Sequence, residues 1–328
     1  MAALPTTYGS LIDIAKSLDP DGSTADIVEM LSKEVPIVQN LPFMQGNLET
    51  GHRHVIRTGL PQGTWRRLYE FVQPGKSDKV QVTDSCGNLQ AFSEVDEKLI
   101  QLAGANGAAY RRDEDMAYAQ GLGHQVSDTL CYGNEGETPA AFTGLSARYN
   151  SLAAQNADNI IDAGGAGATN TSVWLIVPGK KRVHGIFPKN TKAGLSMKDL
   201  GVETKTDANG GIMRVYRSQF DWDVGLAVAD WRYAARACNI DVTALKKDAA
   251  TGADLVDLIV DMTERVPSLE GAQMYCNRTV RSFLRRQMLN HKNVNLTYET
   301  VGGKRVMTIA EVPIYRWDSL VNTEARVV

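Results

Sequence analysis

Between Tyr110 and Gly133 apolar residues return at steps of three and four: Met116, Ala119, Leu122, Val126 and Leu130. Charged and polar residues, from Arg111 to Asp115 and then His124, Gln125, Ser127 and Asp128, fill the intervening positions. That period predicts one long helix over 110–133 with an apolar stripe and a polar opposite face. Gly133-Asn134 supplies residue types that end a helix in the left-handed conformation. Gly121 and Gly123 lie inside it, each costing about 1 kcal/mol relative to alanine. A close packing partner or a bend is therefore expected beside them. An element of this length divides the chain into an extended, basic part before it and a strand-rich part after it.

Residues 1–20 form an arm with Leu11, Ile12, Ile14 and Leu18 as an apolar patch. A short helix is predicted from Ser23, with Ile27, Met30 and Leu31 on its buried side. Pro36 is expected to stop it, and Val35-Pro36-Ile37-Val38 with Leu41-Pro42-Phe43 to continue as an extended apolar cord. Such a segment buries little against itself and is expected to lie on another surface. Strands are then predicted at 52–58 and 79–83, joined by a long tip with Pro61, Gly63, Pro74 and Gly75. Around Trp65 this ribbon carries Arg53, Arg57, Arg66, Arg67, Lys76 and Lys79 against only Glu70 and Asp78. A two-stranded ribbon is marginal alone, so a partner surface, and an acidic one, is expected. The candidate acids within the same chain are Glu94, Asp96, Glu97, Asp113, Glu114 and Asp115.

After the long helix, a polar, glycine- and alanine-rich excursion leads to a buried strand at 172–177. Pro178-Gly179 turns it toward 182–187, a hairpin or a nearby strand pair. Residues 189–209 are expected to be mostly loop. Strands follow at 212–217 and 222–230, with Trp222, Leu226 and Val228 in the core. Leu255, Leu258, Ile259, Met262 and Val266 mark a second amphipathic helix ended by Pro267. Val280, Phe283, Leu284 and Met288 mark a third, with Arg281, Arg285 and Arg286 outside. Strands at 305–309 and 313–317 close the chain. Runs of helices and of strands without regular βαβ alternation place it in the α+β class.

A hydrophobic fraction of 43% sustains a packed core. A net charge of −3 gives no basic footprint for clamping nucleic acid. No apolar run reaches spanning length, and the first residues lack the pattern of a secretory signal. A soluble protein made inside the cell is expected. The 4 cysteines, Cys86, Cys131, Cys238 and Cys276, are scattered and are expected to stay reduced. The glycines of 163–169 precede a strand, whereas a dinucleotide fingerprint needs a helix there. Pro178-Gly179-Lys180-Lys181 lacks the spacing of a phosphate loop. His52 and His54 share one face of a strand, but no third ligand stands near them in sequence, so a basic ribbon face is expected and not a metal site. His124 and His184 are expected as structural hydrogen-bonders, and His291 as a cation after a helix C-terminus. Asp221-Trp222-Asp223 is expected to turn its acids outward, and Asp113 to Asp115 suit a first helical turn. With no GxSxG and no HExxH, no catalytic, cofactor or metal site is predicted.

Several segments, taken in order, resemble a known family. They are LPFMQGN (41–47), HVIRTGLPQGTWRRL (54–68), QVTDSCGNLQAFSEVD (81–96), YGNEGETPAAFTGL (132–145), AGGAGATNTSVWLIVPGKKRVHGIFPKNTKAGLSMKDLG (163–201), YCNRTVRSFL (275–284) and VPIYRWDSLVNTEARV (312–327). The chain is similar to major capsid proteins of tailed bacteriophages, in the group with the Hong Kong 97 phage capsid fold and closest to those of short-tailed phages. The resemblance implies an N-terminal arm at 1–48 and an E-loop β-ribbon at 49–95. It implies a peripheral domain at 96–164 with the spine helix at 110–133, a mostly axial domain at 165–304, and a C-terminal strand at 305–328 returning to the peripheral domain. It also implies a homo-oligomer of hexamers and pentamers, an icosahedral shell around non-specifically held double-stranded DNA, assembled in the host cytoplasm as part of a virion. The ribbon residues Arg53, Arg57, Trp65, Arg66, Arg67, Lys76 and Lys79 would then contact a neighbouring subunit. A portal and a decoration protein are expected. So is a separate scaffold protein, because the chain starts close to its arm. Covalent cross-linking through Lys76 or Lys79 is not predicted. A nanocompartment shell of the same fold, or an α+β enzyme using 163–187, are the alternative readings.

Overall fold

The computed structural model describes residues 35–206, 210–247, 252–290, 297–301, 304–309 and 311–328. The helix predicted from Ser23 and the histidine at 291 lie outside those residues. Two compact units emerge, one containing residues 88–126 and 194–223, the other 34–87, 127–193 and 224–328. Three long elements supply residues to both: β3 (Asp78–Asp96), α3 (Gly107–Tyr132) and β8 (Ile212–Val228).

In the smaller unit, Asp96 caps α2 (Glu97–Ala103), its Oδ1 accepting from the Lys98 amide at 2.7 Å. Val95, Leu99 and Tyr110 form a small apolar cluster. β7 (Ser196–Thr206) pairs antiparallel with β8 from Ser196↔Asp221 to Thr206↔Ile212. Its register shifts between Asp199 and Gly201, where Gly201 takes φ +73°. The expected loop at 189–209 is therefore largely a strand, hidden in sequence because its side chains are mostly exposed and polar. The two strands expected at 212–217 and 222–230 are one. Asn88 and Gln90 donate from β3 to Asp223 at 2.7 Å and Asp221 at 2.8 Å, so those acids are hydrogen-bonded and do not stand free.

The long helix forms with the expected position, and Leu122, Val126 and Leu130 are buried as its period requires. Met116 is not: it is 60% exposed, so the apolar stripe starts later than expected. Nor does anything pack tightly at Gly121 or Gly123, where an added Cβ would meet no atom within 4 Å.

The larger unit is built on a seven-stranded sheet ordered β11-β12-β13-β10-β5-β9-β4. Its strands are β4 (Ile160–Asp162), β5 (Asn170–Ile176), β9 (Ala234–Asp241), β10 (Gln273–Cys276), β11 (Thr297–Val301), β12 (Lys304–Ile309) and β13 (Val312–Arg316). β5 is buried throughout, between antiparallel β9 and β10. Two helices, α5 (Leu255–Arg265) and α6 (Arg278–Asn290), lay their apolar stripes on the sheet, with Ile259, Met262, Val280 and Leu284 against Val173, Leu175 and Met274. Asp254 caps α5 by accepting from the Val256 and Asp257 amides. No helix is long and apolar enough to cross a membrane among the described residues.

The other sheet runs β1-β6-β8-β3-β2, with β7 on β8. It adds β1 (Phe43–Gln45), β2 (Gly51–Gly59) and β6 (Val183–Phe187). Of the two arrangements expected across Pro178-Gly179, a hairpin or a nearby strand pair, the hairpin does not form: β6 pairs with β8 and β1, and only a Pro178↔Val183 bridge marks the turn. β5, apolar on both faces from Val173 to Ile176, takes partners inside the main sheet. Gly225 on β8 has no room for a Cβ, which would sit 2.6 Å from the Ser85 carbonyl oxygen. The cord expected at 35–38 is a short helix instead, α1 (Pro36–Asn40), because proline at the first helical position is pre-set for the helix. Ile37 anchors it in the core.

Candidate inter-subunit surface

β2 and β3 form the predicted ribbon, antiparallel from Gly51↔Ser85 to Gly59↔Asp78, with a bulge between Arg57 and Gly59. Beyond the ladder, every residue from Leu60 to Lys76 is exposed. Trp65 and Phe71 are fully so, and Tyr69 is 98% exposed at φ 72°. A turn at the tip is drawn together by Glu70, whose Oε2 accepts from the Arg67 amide at 3.0 Å and whose carbonyl accepts from Arg66 Nη1 at 3.2 Å. The Lys76–Asp78 pair is open to water at 4.0 Å, where ion pairs contribute little. Nearer the root, Asn47 brackets the Arg53 main chain with two hydrogen bonds of 2.7 Å, and Arg53 Nε donates to Thr83 Oγ1. The ribbon therefore has an ordered root and a tip whose aromatic and cationic side chains no part of their own unit covers. Soluble monomers rarely leave such a patch bare.

The candidate acids occupy different settings. Glu94 accepts from Lys205 Nζ at 2.5 Å and Arg217 Nε at 2.9 Å, and Arg217 also pairs with Glu203. Burial pushes the Glu94 carboxyl up, and the bonds from Lys205 and Arg217 overcome that push and hold it below the usual range. Glu97 lies 3.3 Å from Arg214, and Asp96 serves as a helix cap. Asp115 is buried and accepts from Ser218 Oγ at 3.2 Å. Asp113 and Glu114 are half-buried on α3.

At the ribbon root the structure assembles a cluster that sequence spacing could not show. His52 and His54 stack at 6.1 Å, on one face of β2 as alternation requires. His184 of β6 meets His52 edge-on at 5.8 Å. Asp84 of β3, also buried, approaches His54 Nδ1 at 3.5 Å and accepts from Arg148 Nη1 of α4 (Leu145–Arg148) at 2.7 Å. Burial, and then the neighbouring His52, push His184 down to about 4. Burial also lowers His54, against the pull of Asp84. Among the described residues no group of histidine, cysteine and acidic side chains could hold a metal ion. The buried thiols Cys238 and Cys276 are pushed up by burial to about 11 and about 12, and Cys131 likewise upward, so none is poised as a nucleophile.

A bare β-ribbon, a long helix and a helix-backed sheet together are the Hong Kong 97 phage capsid fold, the architecture of proteins that build closed shells. The model of the family "Major capsid protein GP7" matches residues 19–328, and the chain belongs to that family. It is similar to a solved structure of bacteriophage epsilon15, at 35% identity over 100% of this chain and 99% of that one, with a TM-score of 0.80. An encapsulin of Synechococcus elongatus PCC 7942 is 13% identical over 67% of this chain and 92% of that one, with a TM-score of 0.45. The capsid of the myovirus XM1 is 9% identical over 65% and 94%, with a TM-score of 0.42. No curated protein matches the chain. The protein is a major capsid protein, a shell component of a phage virion.

Proposed function

We propose that this subunit assembles as hexamers and pentamers into an icosahedral head around double-stranded DNA, each copy reaching over its neighbour with the ribbon. The observation that carries the reading is the tip, where Trp65, Leu68, Tyr69 and Phe71 stand bare among Arg66, Arg67 and Lys76. Only a second surface removes that area from water, and in a shell that surface is another copy. Contacts of this kind are head-to-tail, and they form closed rings where the rotation between copies closes. Arg53, Arg57, Trp65, Arg66, Arg67, Lys76 and Lys79 face the neighbour in this reading. The candidate acidic partners on that neighbour are Glu94, Asp96, Glu97, Asp113, Glu114 and Asp115.

The parts follow: an arm at 1–48, the ribbon at 49–95, a peripheral domain at 96–164, a mostly axial domain at 165–304 and a returning strand at 305–328. A separate scaffold, a portal and a decoration protein complete a head assembled in the host cytoplasm. Contact with DNA is through phosphate alone, weak and independent of sequence.

Electron microscopy of the expressed protein, alone and with the proteins encoded beside it, tests this. Closed particles, five- and six-membered rings or curved sheets are expected. A monodisperse monomer under every condition would overturn it.

A further inference from the structure

The histidine cluster at the ribbon root gathers several buried polar atoms. Nδ1 of His52, both ring nitrogens of His54, Nδ1 of His184 and Oδ2 of Asp84 are buried without a hydrogen-bond partner in the protein. Native structures rarely leave such atoms unsatisfied, and those they do leave call for an explanation. At neutral pH Arg148 and Asp84 neutralise each other, and His54 and His184, both lowered, are uncharged. Asp84 draws a proton toward His54, but the cost of burying the charged ring outweighs that pull. The groups facing the imidazoles are Asp84 from β3, already bonded to Arg148, and the Arg148 guanidinium from α4. Each histidine also faces another, across the 6.1 Å stack on β2 and the 5.8 Å edge contact to β6.

We propose that His54 and His184 form an acid-triggered release at the ribbon root, in which their protonation sets like charges on either side of His52 and the repulsion frays the ladders of β2 with β3 and of β6 with β8. The directions of titration agree with this. His184 is held near 4 and His54 is lowered, whereas an open root would titrate at about 6.5. A base whose closed form resists protons favours closure fully above about pH 6.5. That preference is lost as pH falls from there, and the loss levels off near 4. For His184 alone the open-to-closed ratio rises by up to roughly two decades across that window. What release does to a shell rests on the ribbon reading above; the release itself does not.

Hydrogen exchange of the full chain, read by mass spectrometry at about pH 7.5 and about pH 5 and corrected for intrinsic rates, tests it within the subunit. Residues 51–57 and 183–187 are expected to exchange at least about tenfold faster in acid, while β5 and β9 do not change. In the His52→Gln/His54→Gln/His184→Gln variant that acid response disappears. Equal protection of the wild-type root at both pH values would overturn the proposal, as would an undiminished response in the folded variant. Should the triple variant not fold, His184→Gln alone must shrink the response, and the wild-type comparison decides by itself. Failure of shells to form, with the exchange response intact, counts against the ribbon reading and not against the release.

Discussion

Glu324 and Arg236, 88 positions apart, form a buried ion pair at 2.9 Å. Glu324 also accepts from Tyr132 Oη at 2.6 Å and from Ser172 Oγ, and Arg236 donates to the Tyr149 carbonyl at 2.7 Å. The pair ties the last residues of the chain to β9 and α3. Removing one partner leaves an uncompensated buried charge, which costs about 3–5 kcal/mol. Glu324→Leu and Arg236→Met are each expected to lower the urea midpoint steeply. The double variant is expected to recover much of the loss, because an apolar pair needs no desolvation of charge.

Gly121→Ala and Gly123→Ala are each expected to stabilise the isolated subunit by about 0.5–1 kcal/mol, since the helix gains propensity and the added methyl meets nothing. Chemical denaturation of the unassembled chain checks this. A variant that is more stable alone but poorer at assembly would mark that face of α3 as one that a neighbour approaches closely.

Arg66→Glu with Arg67→Glu is expected to block shell closure while leaving circular dichroism and melting of the subunit unchanged, because both side chains are exposed at the tip. Normal particles in micrographs of the double variant would exclude the docking of this ribbon on acids of a neighbour.

Glu94→Gln is expected to destabilise the subunit by about 2 kcal/mol near neutral pH, through the loss of two charge-assisted hydrogen bonds. A carboxylate with a lowered pKa contributes stability above its ordinary value near 4.5 and loses it as pH falls through the folded one. The acid limb of the wild-type stability profile should therefore be steeper than that of Glu94→Gln.

Elements whose burial follows a local pattern were legible in the sequence: the long helix through Leu122, Val126 and Leu130, α5 and α6, and β5 with its apolar run Val173 to Ile176. β7 was not, because a strand with mostly exposed, polar side chains has no apolar alternation and is held by its ladder with β8. Met116 kept the helical period but lacked a partner to cover it.

By itself, the sequence determined the class of fold and the position and composition of the basic, aromatic ribbon, since periodicity, turn residues and local charge are all short-range properties. Tertiary structure alone decided what stands beside what. It placed β6 next to β8 and not β5, occupied Glu94 with Lys205 and Arg217, and brought His184 to His52 across more than a hundred residues. Hydrogen-bond satisfaction and desolvation are properties of neighbours in space, and spacing along the chain does not encode them.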